Sequence, residues 1–280
     1  MNTLQIRPRI YGFFSSLYQV LDNLKYCEIN NLKPLIRYDR NFLYNNGVDN
    51  VWNEFFEYVN DDVAEGEIID VYSCQNQKEM FFLSDFLMMN PFHNNFELKL
   101  WHLISNNSDK CDEHRKEINE LIKKYIIPNK SVLDEIYKFD NNNWNDTLSV
   151  HVRGTDYSGG YQNLHMIKDR IRQLLENNQY NTIFVASDNK ESIDSIRSEF
   201  PNVINYDTSL RVDSFNNTSP LCHVVSENEK IKHGKDVLIE SILLSKGKAL
   251  VCINSNVAAF AAYYNPDIQI HLVNRVPGGG

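Results

Sequence analysis

The sequence lacks the features expected of a membrane-spanning or a secreted, disulfide-bonded protein. No apolar run among its 280 residues approaches the ~20 residues that a bilayer span requires. The first residues, MNTLQIRP, have no apolar core of the kind found in signal peptides. The five cysteines are odd in number and scattered, without a CxxC pair, which is typical of thiols in a reducing compartment. We therefore predict a cytoplasmic protein with no membrane span.

Positive charge is also scarce. The chain has 28 lysines and arginines against 37 acidic residues, a formal net charge of −9. This balance argues against a broad surface for nucleic acid or anionic lipid. A small polyanionic ligand would need a local basic pocket. The charged fraction of 23% and hydrophobic fraction of 42% are those of a globular protein.

The order of predicted elements indicates an α/β fold with parallel sheets. Apolar strand-like segments alternate with helical segments through the C-terminal half, which predicts a doubly wound parallel sheet. A polar, turn-rich stretch at 141–146 separates the two halves. We predict an N-terminal α/β domain over 1–140 and a C-terminal Rossmann-like domain over 141–280. The predicted strands of the second domain lie at 147–152, 181–186, 203–206, 249–253 and 268–273.

The segment 147–157, TLSVHVRGTDY, begins as a strand and ends as a candidate site. Its apolar and polar residues alternate up to Gly154, which lets the backbone turn or approach a ligand closely. Arg153 is therefore placed at the carboxyl end of a strand, where ligands bind in open α/β sheets. Its guanidinium matches phosphate or carboxylate oxygens bidentately. An Arg153–Asp156 ion pair that only stabilises the turn is the alternative.

Two further predicted strands of the C-terminal half end in polar residues. Asp188 follows one of them, and Ser255 follows the other, where it is a natural helix N-cap. A helix start attracts anions, although capping alone also explains the serine. Gly12, before a helical pattern at 13–27, is either a similar phosphate-binding start or a plain turn. An arginine, a carboxylate and a helix N-terminus at one sheet edge suit a nucleoside diphosphate.

These residues also carry a family resemblance. HVRGTD at 151–156 resembles the HxRxxD motif of GDP-fucose-dependent fucosyltransferases, the α-1,6, α-1,2 and protein O-fucosyltransferases. ASDN at 186–189 is similar to the second motif of this family. GKDVLIESILLS at 234–245, followed by CINSN at 252–256, is similar to the third. GFFSSL at 12–17 resembles, more loosely, the glycine-rich N-terminal loop. The likeness spans most of the chain from 11 to 266.

The resemblance implies a GT-B architecture, with two Rossmann-like domains that face a cleft. It also implies inverting transfer of fucose from GDP-fucose to a glycan acceptor, with no obligatory metal or other cofactor. By position, Arg153 would hold the β-phosphate and act in catalysis, and Asp156 would brace the motif. His151 and Asp188 would hold the guanosine. The implied donor-binding residues are His151, Arg153, Gly154, Asp156, Asp188, Ser255, Asn256 and Gly12.

The chain departs from the family at the general base. The core α-1,6 enzymes have a lysine just after the motif's aspartate and a glutamate further on, whereas Tyr157 and Tyr161 fall near those places here. The base is therefore open, with His165, Asp39 and Glu54 as candidates. Two alternatives remain: a transferase for another GDP-deoxyhexose such as GDP-rhamnose, or an inactive nucleotide- or glycan-binding module. No DxD-like pair lies beside the phosphate motif, so no metal is expected.

Overall fold

The computed structural model describes residues 1–7, 12–59, 63–70, 95–139, 143–154, 160–176, 180–213 and 225–273. The predicted α/β class is confirmed, because the strands in these ranges form two parallel sheets and alternate with helices along the chain. The chain divides into two compact units. The first comprises Met1–Val132 with Glu227–Gly234, and the second comprises Leu133–Ser226 with Lys235–Gly280. The first unit thus ends before residue 140 and includes a short later segment.

The described part of the first unit contains a three-stranded parallel sheet of order β2-β1-β3. A helix follows the first strand and leads to its neighbour, and further helices follow later in the chain. The elements are β1 (Thr3–Ile6), α1 (Phe13–Asn30), β2 (Lys33–Ile36), β3 (Ile68–Asp70), α2 (Asn95–Ser105), α3 (Cys111–Tyr125) and the start of α4 (Lys130–Tyr137).

Helix α1 shows how local sequence determines an element of this unit. The apolar residues spaced along 13–27 are buried, because their helical period places them on one face. The helix ends at Asn31, whose left-handed φ of 51° is one that asparagine tolerates better than most residues. Phe13 packs edge-on against Phe55, with ring centroids 5.1 Å apart. The aromatic residues of the stretch 51–58 are therefore core, except for the exposed Tyr58.

The second unit contains a five-stranded parallel sheet of order β6-β5-β4-β7-β8. The chain starts at the central strand β4, builds outward on one side, and then returns to build the other side. This reversal creates a topological switch point between β4 and β7, the place where doubly wound folds bind ligands. The elements are β4 (Thr147–Val152), α5 (Gly160–Leu175), β5 (Thr182–Ser187), α6 (Lys190–Arg197), β6 (Val203–Ile204), α7 (Lys230–Lys246), β7 (Ala249–Cys252), α8 (Asn256–Tyr264) and β8 (Gln269–Leu272).

Strand β4 is buried on both faces, as expected for the centre of a parallel sheet. Its apolar side chains, Leu148, Val150 and Val152, belong to a core cluster that includes residues of α5 and α6. Strand alternation then places Ser149 and His151 on the opposite face. In the part of the chain that the structure describes, no helix combines the length and apolar character needed to cross a membrane.

One strand of the first unit was not predicted, and part of one apolar segment lies outside the described residues. Strand β1 was not predicted, since it has four residues and a short alternation is a weak signal. It nevertheless lies at the centre of its sheet, and Leu4 and Ile6 are buried. The apolar residues of the segment 80–104 are typical of helical packing interrupted at Pro91. Its last part lies in α2 (Asn95–Ser105), and the rest lies outside the described residues.

Candidate functional site

His151 and Ser255 meet at the switch point of the five-stranded sheet. His151 is the second-last residue of β4 and is paired in register with Cys252, the last residue of β7. Ser255 follows β7 and is the N-cap of α8. The Nδ1 atom of His151 lies 3.2 Å from the Oγ atom of Ser255. The structure therefore brings together a residue of the family motif and a helix N-cap that follows a different strand.

Ser255 bonds both its own helix and the imidazole of His151, which burial keeps neutral. The Ala258 amide donates to Oγ of Ser255 at 3.1 Å, so the hydroxyl hydrogen can be donated to Nδ1 of His151. Burial, and to a smaller extent the nearby Arg153, lowers the pKa of His151 to about 3. A neutral imidazole that accepts at Nδ1 carries its proton on Nε2, and one that donates from Nδ1 leaves Nε2 as an acceptor. His151 is therefore a neutral imidazole at this edge, with one ring nitrogen on Ser255.

Arg153, Gly154 and Asp188 form the neighbouring part of the site, where the ends of β4 and β5 meet. The Gly154 amide donates to Oδ1 of Asp188 at 2.8 Å. The Nε atom of Arg153 lies 3.9 Å from Oδ2 of the same carboxylate. The side chains of Arg153 and Asp188 are 28% and 19% exposed, so a ligand can reach both. Asp156, the predicted brace of this turn, lies outside the described residues.

Gly154 is required by the close approach of these two strand ends. A Cβ atom at this position would lie 2.5 Å from Cβ of Asn189 and 3.2 Å from Oδ1 of Asp188. Asn189 cannot easily move, because it is fully buried and its side chain accepts the Ser192 amide at the start of α6. The glycine therefore permits the amide contact that holds Asp188 beside Arg153.

The start of α8 provides a second source of positive potential. The helix begins at Asn256, and Ser255 caps it. The first amides of any α-helix have no acceptor within the helix, and the helix dipole adds partial positive charge there. Residues Ala258 to Tyr263 are buried, so the helix start is held firmly. With Arg153, it suits a diphosphate.

Arg211 is part of this region, although the sequence analysis did not single it out. Its guanidinium donates to the carbonyls of Ser187 (3.1 Å), Tyr206 (2.9 Å) and Ser209 (2.9 Å), and to the carboxylate of Glu240. Burial raises the pKa of Glu240 to about 8, against the opposing attraction of Arg211. Arg211 stands alone in a polar segment, so no sequence pattern marked it as a site residue. The hint that the sequence did offer was its partner Glu240, an acidic residue in the otherwise apolar middle of α7.

The candidate general bases are found in different places. His165 lies on α5 with its side chain 73% exposed, 3.6 Å from Asp169. Asp39 follows β2 in the first unit and pairs with Arg7 at 3.5 Å. Glu54 ends a short 3₁₀ helix, also in the first unit. Which of these acts as base, if any, stays a prediction.

Gly12 is the N-cap of α1, with an unstrained φ of −57°. A Cβ atom there would meet no other heavy atom within 4 Å, so the described structure does not itself demand glycine. Its predicted role in donor binding stays a prediction. Among the described residues, no group of three or more histidines, cysteines and acidic residues is placed to hold a metal ion.

No family model matches the sequence, and no curated protein matches it either. The structure does resemble solved structures over almost the whole chain. One is NodZ α-1,6-fucosyltransferase co-crystallised with GDP, with 16% identity, a TM-score of 0.59, and 95% of this chain and 92% of that chain covered. Another is a variant of Arabidopsis thaliana FUT1 in complex with GDP, with 12% identity, a TM-score of 0.58, and 99% and 71% covered.

A third similar structure is POFUT1 in complex with GDP. It has 10% identity to this chain and a TM-score of 0.53, with 98% of this chain and 99% of that chain covered. The chain shares the fold of these proteins. This confirms the fold class predicted from the sequence resemblance, a GT-B-type α/β fold with parallel sheets.

Proposed function

We propose that this protein is an inverting glycosyltransferase that moves fucose from GDP-fucose to a glycan acceptor. The proposal depends on one observation, the cluster of polar side chains at the switch point of the five-stranded sheet. There the His151–Ser255 contact lies beside the Arg153–Asp188 pair, at the ends of three adjacent strands. The shared fold with fucosyltransferase structures that contain GDP supports it.

The contacts suggest a division of roles. Arg153 holds the β-phosphate, and the amides at the start of α8 meet the same diphosphate. The diphosphate gains charge as it leaves, and positive groups already in place stabilise that charge in the transition state. Asp188 accepts from the N1–H and exocyclic amine of guanine, since each carboxylate oxygen can accept more than one hydrogen bond. His151 helps to hold the nucleoside through its other ring nitrogen, Nε2.

The same arrangement makes a metal and other cofactors unnecessary, because Arg153 and the helix start supply the positive charge. The partners are therefore a GDP-sugar donor and a glycan acceptor. We also propose a cytoplasmic location, since Cys27, Cys111 and Cys252 are free thiols, which is the usual state in reducing compartments. Recovery of the native protein from an oxidising compartment would contradict that location.

A thermal-shift panel of GDP, UDP, ADP, GDP-fucose and GDP-rhamnose tests the nucleotide assignment. A ligand that binds only the folded state stabilises it by about 2.7 kcal/mol at 100-fold excess over its Kd. We expect GDP and GDP-fucose to raise the melting temperature and UDP to leave it unchanged. Equal shifts with GDP and UDP would remove the guanosine assignment. A larger shift with GDP-rhamnose than with GDP-fucose would favour the other donor sugar.

Turnover separates the transferase from a binding module. A working transferase releases some sugar from its donor to water when no acceptor is present. We expect slow release of fucose from GDP-fucose, measured as free fucose and GDP over hours. Tight GDP binding without any release of fucose, and without transfer to a panel of glycans, would indicate the binding module instead.

A further inference from the structure

Arg211 holds a segment of the second unit that none of the proposed donor contacts includes. Its side chain is 8% exposed, and that of its partner Glu240 on α7 is 11% exposed. The guanidinium bonds to three backbone carbonyls, one at the end of β5 and two within the segment 206–211. Arg211 therefore fastens this segment to both the sheet and α7, and the Leu210 amide adds a second bond to α7 by donating to Asp236 at 3.2 Å.

The segment in turn holds the backbone on both sides of Asp188. Nε of Arg211 donates to the carbonyl of Ser187 at 3.1 Å. The amide of the next residue, Val212, donates to the carbonyl of Asp188 at 3.0 Å. The Lys190 amide then donates to the carbonyl of Val212 at 2.8 Å. Two consecutive carbonyls after β5 are thus held by two consecutive residues of this segment.

We propose that Arg211 is a positioning residue for the donor nucleotide, acting through Asp188. This inference rests on the proposed function. Asp188 accepts the Gly154 amide at 2.8 Å and lies 3.9 Å from Arg153, so its backbone position determines both contacts. If the segment 206–212 shifts, the carboxylate leaves the place from which it meets guanine and orients Arg153.

The chemistry of the buried pair favours a positioning role over a purely stabilising one. A buried ion pair is often no more stabilising than apolar residues of the same size. A planar guanidinium, however, can bond several acceptors in fixed directions at once, which a lysine cannot do. Arg211 uses this geometry fully, with bonds from Nε and both terminal nitrogens. Glu240 adds a fourth acceptor for the same buried guanidinium.

The test compares four proteins: wild type, Arg211→Lys, the double variant Arg211→Met with Glu240→Met, and Arg172→Met. The double variant removes both charges together, so that neither is left buried without a partner. Arg172, on α5, is the matched control, because it pairs with Asp169 and Glu199 at a half-exposed position. For each protein we would measure urea unfolding, GDP binding by calorimetry, and kcat and KM for GDP-fucose.

We expect the double variant to fold and to bind GDP about tenfold or more weakly, the loss expected when a charged hydrogen bond is misplaced. Arg211→Lys should lie between it and wild type, and Arg172→Met should match wild type. KM for GDP-fucose should rise in the same order. GDP affinity within twofold of wild type in a folded double variant overturns the proposal. So does failure of both Arg211 variants to fold, since the residue is then structural.

The same data separate this inference from the proposed function. If wild type itself binds no GDP, the proposed function fails whatever the variants do. If wild type binds GDP and all variants bind it equally, only the role of Arg211 fails.

Discussion

The two parallel sheets share one local arrangement but carry different groups at their carboxyl edges. In each, the first strand of the sheet is flanked by the next strand on one side and by a later strand on the other. Both therefore contain a switch point of the kind that binds ligands. At the five-stranded edge, His151, Arg153, Asp188 and Ser255 come from three adjacent strand ends. They contact one another across those strands.

At the three-stranded edge, two described asparagines bond the backbone of the loop that follows β2. The side chain of Asn50 accepts from the amides of Tyr38 and Trp52 and donates to the carbonyl of Ile36. Asn45 likewise bonds the backbone of the same loop. A switch point alone therefore does not make a binding site. The side chains placed there decide whether it becomes a binding site.

Replacing Arg153 is the strongest test of the difference between the two sheet edges. A charged hydrogen bond is worth about 1.5–3 kcal/mol, and this one should strengthen as the diphosphate departs. We expect Arg153→Ala to lower turnover by more than the ~10–100-fold that such a bond alone implies. Arg153→Lys should fold, bind GDP more weakly and remain severely impaired, because it loses the planar fork. Steady-state transfer and calorimetric GDP binding measure both effects.

Arg7→Ala is the matched control at the other edge, where Arg7 pairs with Asp39. It should leave GDP affinity near that of wild type. An equal loss from Arg7→Ala and Arg153→Ala would break the comparison between the two edges. Lysine at 153 working within a few-fold of wild type would remove the argument from the guanidinium fork.

Gly154→Ala should give the next largest effect. Its new methyl group would lie 2.5 Å from Cβ of Asn189, so the ends of β4 and β5 must separate. Such overpacking costs about 1–3 kcal/mol of stability, and GDP affinity should fall because the amide no longer holds Asp188. Urea unfolding and calorimetry measure the two effects. Wild-type values for both would show that the two strand ends are not held together as described.

The pH dependence of stability tests the buried histidine. The pKa of His151 is lowered to about 3 in the folded state, whereas an unperturbed histidine has a pKa of about 6.5. The unfolded chain therefore binds the proton more readily, and stability is full above about pH 6.5 and declines as the pH falls toward 3. Between pH 7 and 5 this residue alone should cost on the order of 2 kcal/mol.

Because other histidines also titrate, the measurement must compare variants. We expect His151→Gln to lose less stability than wild type between pH 7 and 5, in urea unfolding at each pH. His165→Gln, which changes an exposed histidine of the same unit, should behave as wild type. Parallel pH profiles for wild type and His151→Gln would mean that the imidazole is not buried in the neutral form.

The sequence predicted the strands of the second unit well because most of them are apolar segments between helices of clear period. The predicted strand at 181–186 is β5 (Thr182–Ser187), and the predicted strand at 147–152 is β4 (Thr147–Val152). Ser255 was selected because it follows a strand, and His151 because it belongs to the motif that carries the family resemblance. Parallel strands bring both to one edge of the sheet. The hydrogen bond between them was beyond prediction, since it depends on the register of β4 with β7.

What the sequence could not show were contacts made by single residues of irregular segments. Arg211 follows the two-residue strand β6 and lies outside the helices and strands of the second unit, so no period marks it. Gly154 was noted as a turn residue, but the reason for it is the distance to Asn189, which only the packed structure contains. Strand β1 was missed for a similar reason, since its central place in the sheet comes from pairing with β2 and β3.

Gly12→Ala tests the edge of the three-stranded sheet, and its effect should be smaller than those of the variants at the five-stranded edge. Gly12 has φ −57° and open space at its Cβ position, so stability should stay within about 1 kcal/mol of wild type, the range of N-cap exchanges. If the glycine leaves room for the donor, KM for GDP-fucose should still rise several-fold. Thermal unfolding and steady-state kinetics measure the two quantities. Unchanged kinetics would make Gly12 a plain helix start.

Removing metal should have the smallest effect of all. In our proposal the diphosphate is neutralised by Arg153 and by the amides at the start of α8, neither of which needs a cation. Transfer from GDP-fucose, measured before and after excess EDTA, should therefore be unchanged. Full loss of transfer, restored by Mg²⁺ or Mn²⁺, would mean that carboxylates rather than the arginine organise the phosphates. Asp188 would then be a candidate metal ligand, and the five-stranded edge would work by a different chemistry from the one argued for it.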